Sequence, residues 1–501
     1  MSYGYEQCIV LIVTVPLITS FLVVLLGWFK RWLCYPLVLA ALGVSFLCSL
    51  GILDLVMERG TIHYWQGGWE PPWGIEYVVD HLNAFMLVML TFIGLMVAIY
   101  SKKSIEREIP EKLVPYYSIF LLMVTGLIGI TVTGDLFNAF VFLEIASLTA
   151  YALIAVGEDG APMAAFNYVI MGTIGACFYY LGIGYVYIAT GSLNMADLSQ
   201  LLPALYHNKA VLVGFALFTV GIAVKMGLFP LHVWLPDAYT YAPSATSAVI
   251  APLFTKVMAY LMVRIFFTLF KPHFSIDLIP ITQILTWVAA GGIIAGSILA
   301  IAQTDLKRML AYSSIANIGY IVLGIGLANR MGLTGGLLHI LNHAFMKGTL
   351  FLVAGGIMYK MGMRDITQFR GLHKKMPFTM AAFTIAALSM IGIPPTGGFF
   401  SKFYLVLGAI DARQWAFIVV LLASSLLNAV YFFRVIENIY LEPPVTAYAT
   451  DGGTHEEIKR DELPLSMLVP ILIMAAGVVL LGIFNERIIA FIIRFAVPAS
   501  F

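Results

Sequence analysis

The 501-residue chain is 61% hydrophobic and 11% charged, with a formal net charge of +1 and a mean hydropathy of +0.93. Soluble domains carry about 25% charged residues, so the composition excludes that class and leaves a polytopic membrane protein. The small net charge offers no electrostatic footprint for nucleic acid, and Cys8, Cys34, Cys48 and Cys177 form no C-x-x-C pair that would suggest disulfides, zinc or an iron–sulfur centre.

A helix needs roughly 20 mostly apolar residues to cross about 30 Å of hydrocarbon. That rule places spans near 8–28, 33–56, 80–100, 115–133, 135–156, 162–190 and 210–240. Further spans fall near 243–270, 281–303, 308–328, 331–360, 377–410, 414–440 and 465–484. The expected fold is therefore all-α, with about fourteen transmembrane helices. No basic n-region precedes the first apolar run, which reads as a retained anchor. The polar stretches 57–79, 101–114, 360–376 and 442–463 are too short for a soluble catalytic domain, so extramembrane chemistry falls to other chains. The Trp-rich segment His63–Trp73 suits an interfacial anchor. Loops after odd-numbered spans hold fifteen Lys and Arg, among them Lys30, Lys307, Lys459 and Arg460, against five after even-numbered spans. The positive-inside rule then puts both termini on the outer face of a cell membrane.

Ionisable residues inside a span are expensive and therefore functional candidates. Glu144 lies about nine residues into its span, close to the midplane at 1.5 Å per residue. Lys225, Lys256 and Lys402 are deep in three other spans. His339, His343 and Lys347 follow one another at i, i+4 and i+8 and share a helical stripe. Any one buried lysine could merely snorkel or pair with a carbonyl. Six bases and a carboxylate spread over several spans fit a proton relay better. Lysine changes its protonation readily on burial, whereas arginine stays charged, and none of these deep positions is Arg. The two histidines have the spacing of a helical metal pair, but the Glu of H-E-x-x-H is missing and no third ligand is evident, so no metal is expected.

The seventh span contains Gly227, Pro230 and Pro236, and the twelfth contains Pro394, Pro395, Gly397 and Gly398, so both should break. Broken backbone at membrane depth is tolerated where it is buried in protein or lines a cavity, and a matched pair of breaks points to inverted repeats. The expected divisions are 1–114 (three helices and a polar loop), 115–270 (helices 4–8), 281–440 (helices 9–13) and 441–501 (a loop and the last helix). GGIIAG at 291–296 and GIGLAN at 324–329 read as helix-packing glycines rather than nucleotide loops. Asp135 and Asp237 read as helix caps.

The stretches GDLFNAFVFLEI, KMGLFPLHVWLPDAY, DLKRMLAYSSIANIGY, LNHAFMKGTLFL and GIPPTGGFFSKF closely resemble the proton-translocating antiporter-like family, over about residues 80 to 440. Its members are the L, M and N subunits of respiratory complex I, the A and D subunits of Mrp sodium/proton antiporters, and subunits of membrane-bound hydrogenases. The resemblance implies 14 helices in two inverted five-helix repeats. It makes Glu144 the fifth-helix glutamate paired with Lys225 of the seventh helix, and Lys256 the bridging lysine of the eighth. His339 and His343 would link two half-channels, Lys402 would be the terminal base, and His232 and Lys347 would join the same path. Within the family, the words around Glu144 and the run TGSLNMADLSQLLP look most like the Mrp D subunit and its close relatives in hydrogenase-type complexes. The long lateral helix of the L-type subunit and the extra C-terminal domain of Mrp A have no counterpart here.

The resulting expectation is a proton-translocating subunit of a multisubunit Na+/H+ antiporter. One alternative is a proton-pumping subunit of a redox-driven complex of the complex I or hydrogenase type; another is a structural membrane component that binds a partner without conducting. Sodium as the ion passing through this chain ranks lower, because it needs oxygen ligands and the proposed path is rich in nitrogen bases. No flavin, haem or iron–sulfur pattern is present, so no cofactor is expected and the chain is not expected to be a redox catalyst by itself. The expected partners are other integral membrane subunits.

Overall fold

Hydrocarbon offers a backbone carbonyl no partner, so a chain this apolar must bond its own peptide groups along helices. The computed structural model describes residues 6–157, 159–442, 460–498 and 501. The helices are α1 Cys8–Phe29, α2 Cys34–Arg59, α3 His81–Glu108, α4 Leu113–Val132, α5 Leu136–Ala155, α6 Ala161–Thr190 and α7 Lys209–Met226. They continue with α8 Ser244–Val263, α9 Ile281–Ile301, α10 Leu306–Gly326, α11 Arg330–Met361, α12 Pro377–Ile391, α13 Trp415–Tyr440 and α14 Leu465–Ile483. Two half-helices, Leu235–Tyr241 and Gly397–Asp411, carry α7 and α12 on beyond a break. Among the described residues 13 helices are long and apolar enough to cross a membrane, and α12, with 15 residues, is an apolar half of a fourteenth. The polar stretch 443–459, including Lys459, lies outside the described residues.

Two features depart from the expectation. α3 runs on to Glu108 because Ser101, Ser104 and Ile105 stay buried while the charged residues of the same turns face outward. The loop before it holds a two-stranded antiparallel sheet, β1 Ile62–Trp65 and β2 Glu76–Val79, in which Ile62 pairs with Val79 and Trp65 with Glu76. Strands of four residues are too short to show in a window suited to membrane spans. Trp69 and Trp73 beside the sheet are 70% and 90% exposed, as an interfacial anchor requires.

The polar residues go to the middle. The apolar window of α11 is 100% buried and those of α8 and α10 are 94% buried, whereas α1 and α13 are only 33% buried. The glycines let helices close up. A Cβ on Gly296 would stand 2.7 Å from Ala316 N, and one on Gly324 would stand 2.7 Å from the Gly336 Cα. Such contacts require bare backbone on both sides.

The sets α4–α8 and α9–α13 repeat one local design. Asp135 caps α5 through the Asn138 amide at 2.7 Å, and Asp305 caps α10 through the Arg308 amide at 2.8 Å. Each capping strand bridges the segment that follows the next helix, Asp135 to Asn194 and Asp305 to Asp365. The bonds correspond one for one. Leu136 N donates to Leu193 O (2.9 Å) and Met195 N to Gly134 O (2.8 Å), while Leu306 N donates to Arg364 O (3.0 Å) and Ile366 N to Thr304 O (2.9 Å). Five crossings separate each helix from its counterpart, so the two bridges fall on opposite faces of the membrane. The fourth member of each set ends in a glycine of left-handed conformation, Gly227 (φ 72°) and Gly392 (φ 96°), before its prolines.

Asp80 caps α3, accepting from the Leu82 and Asn83 amides at 3.0 and 3.1 Å, and takes both Arg264 Nη1 and Nη2 at 2.6 and 2.5 Å. Burial alone would raise its carboxyl, but Arg264 and the amides outweigh burial and hold it below the ordinary carboxylate range. A carboxyl depressed by folding stabilises fully above its unfolded value of about 3.9 and loses that contribution as pH falls through the lower folded value. Asp80→Asn should therefore cost about 2 kcal/mol at neutral pH, from the charged hydrogen bonds and the cap, and its deficit should shrink in acid. Melting temperatures of both proteins from pH 7 to pH 3 test this. A deficit constant across that range would count against it.

Candidate functional site

The capped start of α5 sets the register that carries Glu144, Ser147 and Tyr151 along one stripe toward the end of α7. Lys225, one residue before that end, donates from Nζ to Ser147 Oγ at 2.7 Å, Glu144 Oε1 at 3.3 Å and the Tyr151 hydroxyl at 3.3 Å. The lysine side chain is fully buried and the glutamate side chain 29% exposed. Gly227 then ends the helix, its amide capping Val224 O at 3.1 Å, and the chain folds back so that the Trp234 indole donates to the same carbonyl at 3.0 Å. Tyr168 lies flat on Trp234, with ring centroids 3.8 Å apart, and meets Tyr151 edge-on at 4.6 Å.

Lys256 is wholly buried on α8, four residues past Pro252. Its Nζ donates to Ala251 O at 2.6 Å and Thr255 Oγ1 at 3.3 Å, both uncharged. Among the described residues no hydrogen bond joins it to Lys225. The buried Tyr168 and Tyr239 hydroxyls have no partner among the described residues. Buried hydroxyls left this way are the usual places for ordered water.

On α11, His339, His343 and Lys347 are all fully buried. Asn317 of α10 donates Nδ2 to Ser313 O at 2.7 Å, which turns its Oδ1 toward His339 Nε2 at 3.0 Å. Nε2 must then donate, so Nδ1, 2.9 Å from Ser401 Oγ, accepts. Lys347 donates to Leu310 O and Ser313 Oγ. Hydrogen bonds thus link Asn317, His339 and Ser401, the residue before Lys402, while Lys347 meets the hydroxyl of Ser313, whose carbonyl holds Asn317. His343 stacks on His339 at 5.6 Å, with neither ring nitrogen partnered among the described residues.

The break in α12 builds the surroundings of Lys402. Met390 and Ile391 close the first half-helix, and their carbonyls, which an intact helix would have satisfied, accept from Lys402 Nζ at 2.8 and 3.0 Å. Ser425 Oγ accepts from the same ammonium at 3.2 Å, and the Tyr320 ring lies 4.9 Å below it. Gly397 O accepts from Asn342 Nδ2 at 2.6 Å, which ties this break to α11. Prolines and glycines here convert helix carbonyls into a cage for a cation.

The structure brings Glu144 to Lys225, His339 to Ser401 beside Lys402, and His343 to His339, while Lys256 and Lys347 are each held by a carbonyl and a hydroxyl. It does not bring His232 into any of these bonds. That side chain is half-buried in the α7 break, stacked on Phe229 at 5.3 Å. Two readings of the sequence need correction. Asp237 is no cap: it sits in the first turn of Leu235–Tyr241 and faces Arg308 at 3.3 Å. Lys307 is no loop charge: at the second position of α10 it turns inward, buried, and donates to Ala242 O at 2.9 Å. Sequence reasoning also passed over Ser147, Ser313, Asn317 and Ser401, whose only signal is a small polar side chain inside an apolar span. Glu76 was missed too; it is buried at the start of β2, accepting from Asn194 Nδ2 at 2.7 Å.

Residues 133–428 match the family described as NADH:quinone oxidoreductase/Mrp antiporter, transmembrane. The N subunit of the NADH-quinone oxidoreductase of Desulforudis audaxviator is 50% identical over 462 residues, 92% of each chain. The D subunit of the Na(+)/H(+) antiporter of Alkalihalophilus pseudofirmus is 32% identical over 454 residues, 90% of this chain and 88% of that one. A chain of the membrane-bound sulfane sulfur reductase, an archaeal respiratory membrane complex, superposes with a TM-score of 0.89 at 30% identity, covering 97% of this chain and 96% of that one.

Proposed function

Because the chain belongs to the NADH:quinone oxidoreductase/Mrp antiporter transmembrane family, we propose that it carries protons across the membrane as one antiporter-like subunit of a multisubunit complex. The observation that carries this reading is the Glu144–Lys225 pair, 3.3 Å apart at membrane depth. Protons would pass Glu144 and Lys225, cross by Lys256 and the His339, His343 and Lys347 stripe, and leave by Lys402. Coupling is electrostatic: when the pair separates, the ammonium loses its counter-charge and its proton is driven onward. His232, standing apart from the bonded groups, serves at most at the mouth of the broken α7. The chain divides functionally at 1–114, 115–270, 281–440 and 441–501. The Lys and Arg asymmetry supports both termini on the outer face of the cell membrane.

Sequence wording around Glu144 favours a Na+/H+ antiporter of the Mrp D kind. The relative at 50% identity, named for NADH-quinone oxidoreductase, favours the second reading, a proton-pumping arm of a redox-driven complex. Co-purification from the native membrane, with partners identified by mass spectrometry, separates them. Small membrane subunits alone support the antiporter, and a module with iron–sulfur centres supports the redox arm. Recovery of the chain without integral membrane partners would end both.

A further inference from the structure

One cavity of about 630 Å³ lies away from the relay, where the start of α3, the end of α8, the start of α11 and the C-terminal segment converge. Those ends share one face of the membrane, since α3 and α11 begin there and α8 finishes there. Five charged side chains line the cavity: Asp80, Arg264, Lys271, Arg330 and Arg494. Asp80 is taken up by the two bonds from Arg264, and Arg264 Nε is spent on the Tyr260 hydroxyl at 3.0 Å. The side chains of Lys271, Arg330 and Arg494 make no hydrogen bond or ion pair among the described residues, and all three are exposed. Three uncompensated cations therefore surround one space.

Part of the wall is apolar. Phe267 and Phe495 line the cavity, and Phe495, like Phe491 one turn earlier, is 58% exposed. The stretch Asn485–Ala496 that carries them also holds Arg487 and Arg494, the composition of a segment lying in a membrane interface. A free inorganic anion would use the cations and leave the aromatic rings idle. A phospholipid uses both. We propose that this cavity binds an anionic membrane phospholipid, its phosphate held between Lys271, Arg330 and Arg494 and its acyl chains lying along Phe267 and Phe495. Guanidinium forks match phosphate oxygens, and a basic pocket between helix ends is a recurrent form of headgroup recognition.

The test uses the complex purified in mild detergent, with bound lipid counted by native mass spectrometry. The wild type should retain phosphatidylglycerol through washing. A Lys271→Gln, Arg330→Gln, Arg494→Gln triple variant should lose about a hundredfold in affinity, and Arg494→Gln alone about fivefold. Arg494 is exposed and unpaired, so its variant folds even if the triple one fails. Phosphatidylglycerol should raise the melting temperature of the wild type, while phosphatidylcholine and millimolar inorganic phosphate should not. Equal phosphatidylglycerol retention by wild type and Arg494→Gln would overturn the proposal. An equal thermal shift from inorganic phosphate alone would also overturn it, marking the cavity as a site for free phosphate.

Discussion

Lys225→Met is expected to lower proton flux through the assembled complex by at least about a hundredfold, and Glu144→Gln by about tenfold, with assembly intact. The methionine keeps the volume and removes the only titratable group at the end of α7. The glutamine leaves the lysine in place and removes its counter-charge. Opposite unit charges 3.3 Å apart attract by about 5 kcal/mol at an effective dielectric constant of about 20. Partial exposure of Glu144 screens some of that, but each 1.36 kcal/mol is a tenfold change in rate, so a fraction of it accounts for the loss. Glu144→Asp should recover part of the flux, because a shorter acid still offers a charge. The measurement is proton uptake by proteoliposomes, with assembly followed on native gels. Wild-type flux from Lys225→Met would remove the relay, and a loss of assembly with unchanged flux per complex would favour a purely structural role.

Lys256→Met should separate function from stability in the opposite sense. The ammonium is wholly buried, and its partners are a carbonyl and a hydroxyl, with no carboxylate in reach among the described residues. An ion held there without a counter-ion costs several kcal/mol. Replacing it with an apolar side chain of similar volume should leave stability unchanged or raise it by up to about 4 kcal/mol, while proton flux falls to background. A stable variant that does not conduct identifies Lys256 as a group kept for its chemistry. A clear drop in melting temperature with flux preserved would make it a brace.

The parts legible in the sequence are those that hydrocarbon makes expensive. Glu144, Lys225 and the α11 stripe stood out because a charge in an apolar window has few innocent explanations, and the helices stood out because the backbone has no other way to satisfy itself. What stayed hidden involves groups that cost little or have no letter of their own. The cage around Lys402 is made of the Met390 and Ile391 carbonyls, and their direction depends on how the α12 break turns the chain. Asn317 and Ser313 are neutral, so nothing in an apolar span marks them until α10 and α11 are seen side by side. Lys307 occupies a position where charges usually face water, and only the inward turn of its side chain shows otherwise. The β1–β2 hairpin escaped because its strands are short and lie outside the bilayer pattern.

The arrangement of these groups has an electrical consequence. Glu144, Lys256 and His339 lie eight, twelve and nine residues from the starts of α5, α8 and α11, roughly 12 to 18 Å deep by helical rise. They stand beside one another on different helices, so a proton passing among them moves along the plane of the bilayer. Membrane voltage does about 2.3 kcal/mol of work per charge per 100 mV, and only on the part of the motion along the bilayer normal. Transfers among these three groups would therefore be nearly blind to voltage. The voltage dependence of such a cycle would fall on the steps along the bilayer normal. These are entry from one surface, exit to the other, and any passage along the α11 stripe, where His339 and Lys347 lie eight residues, about 12 Å, apart.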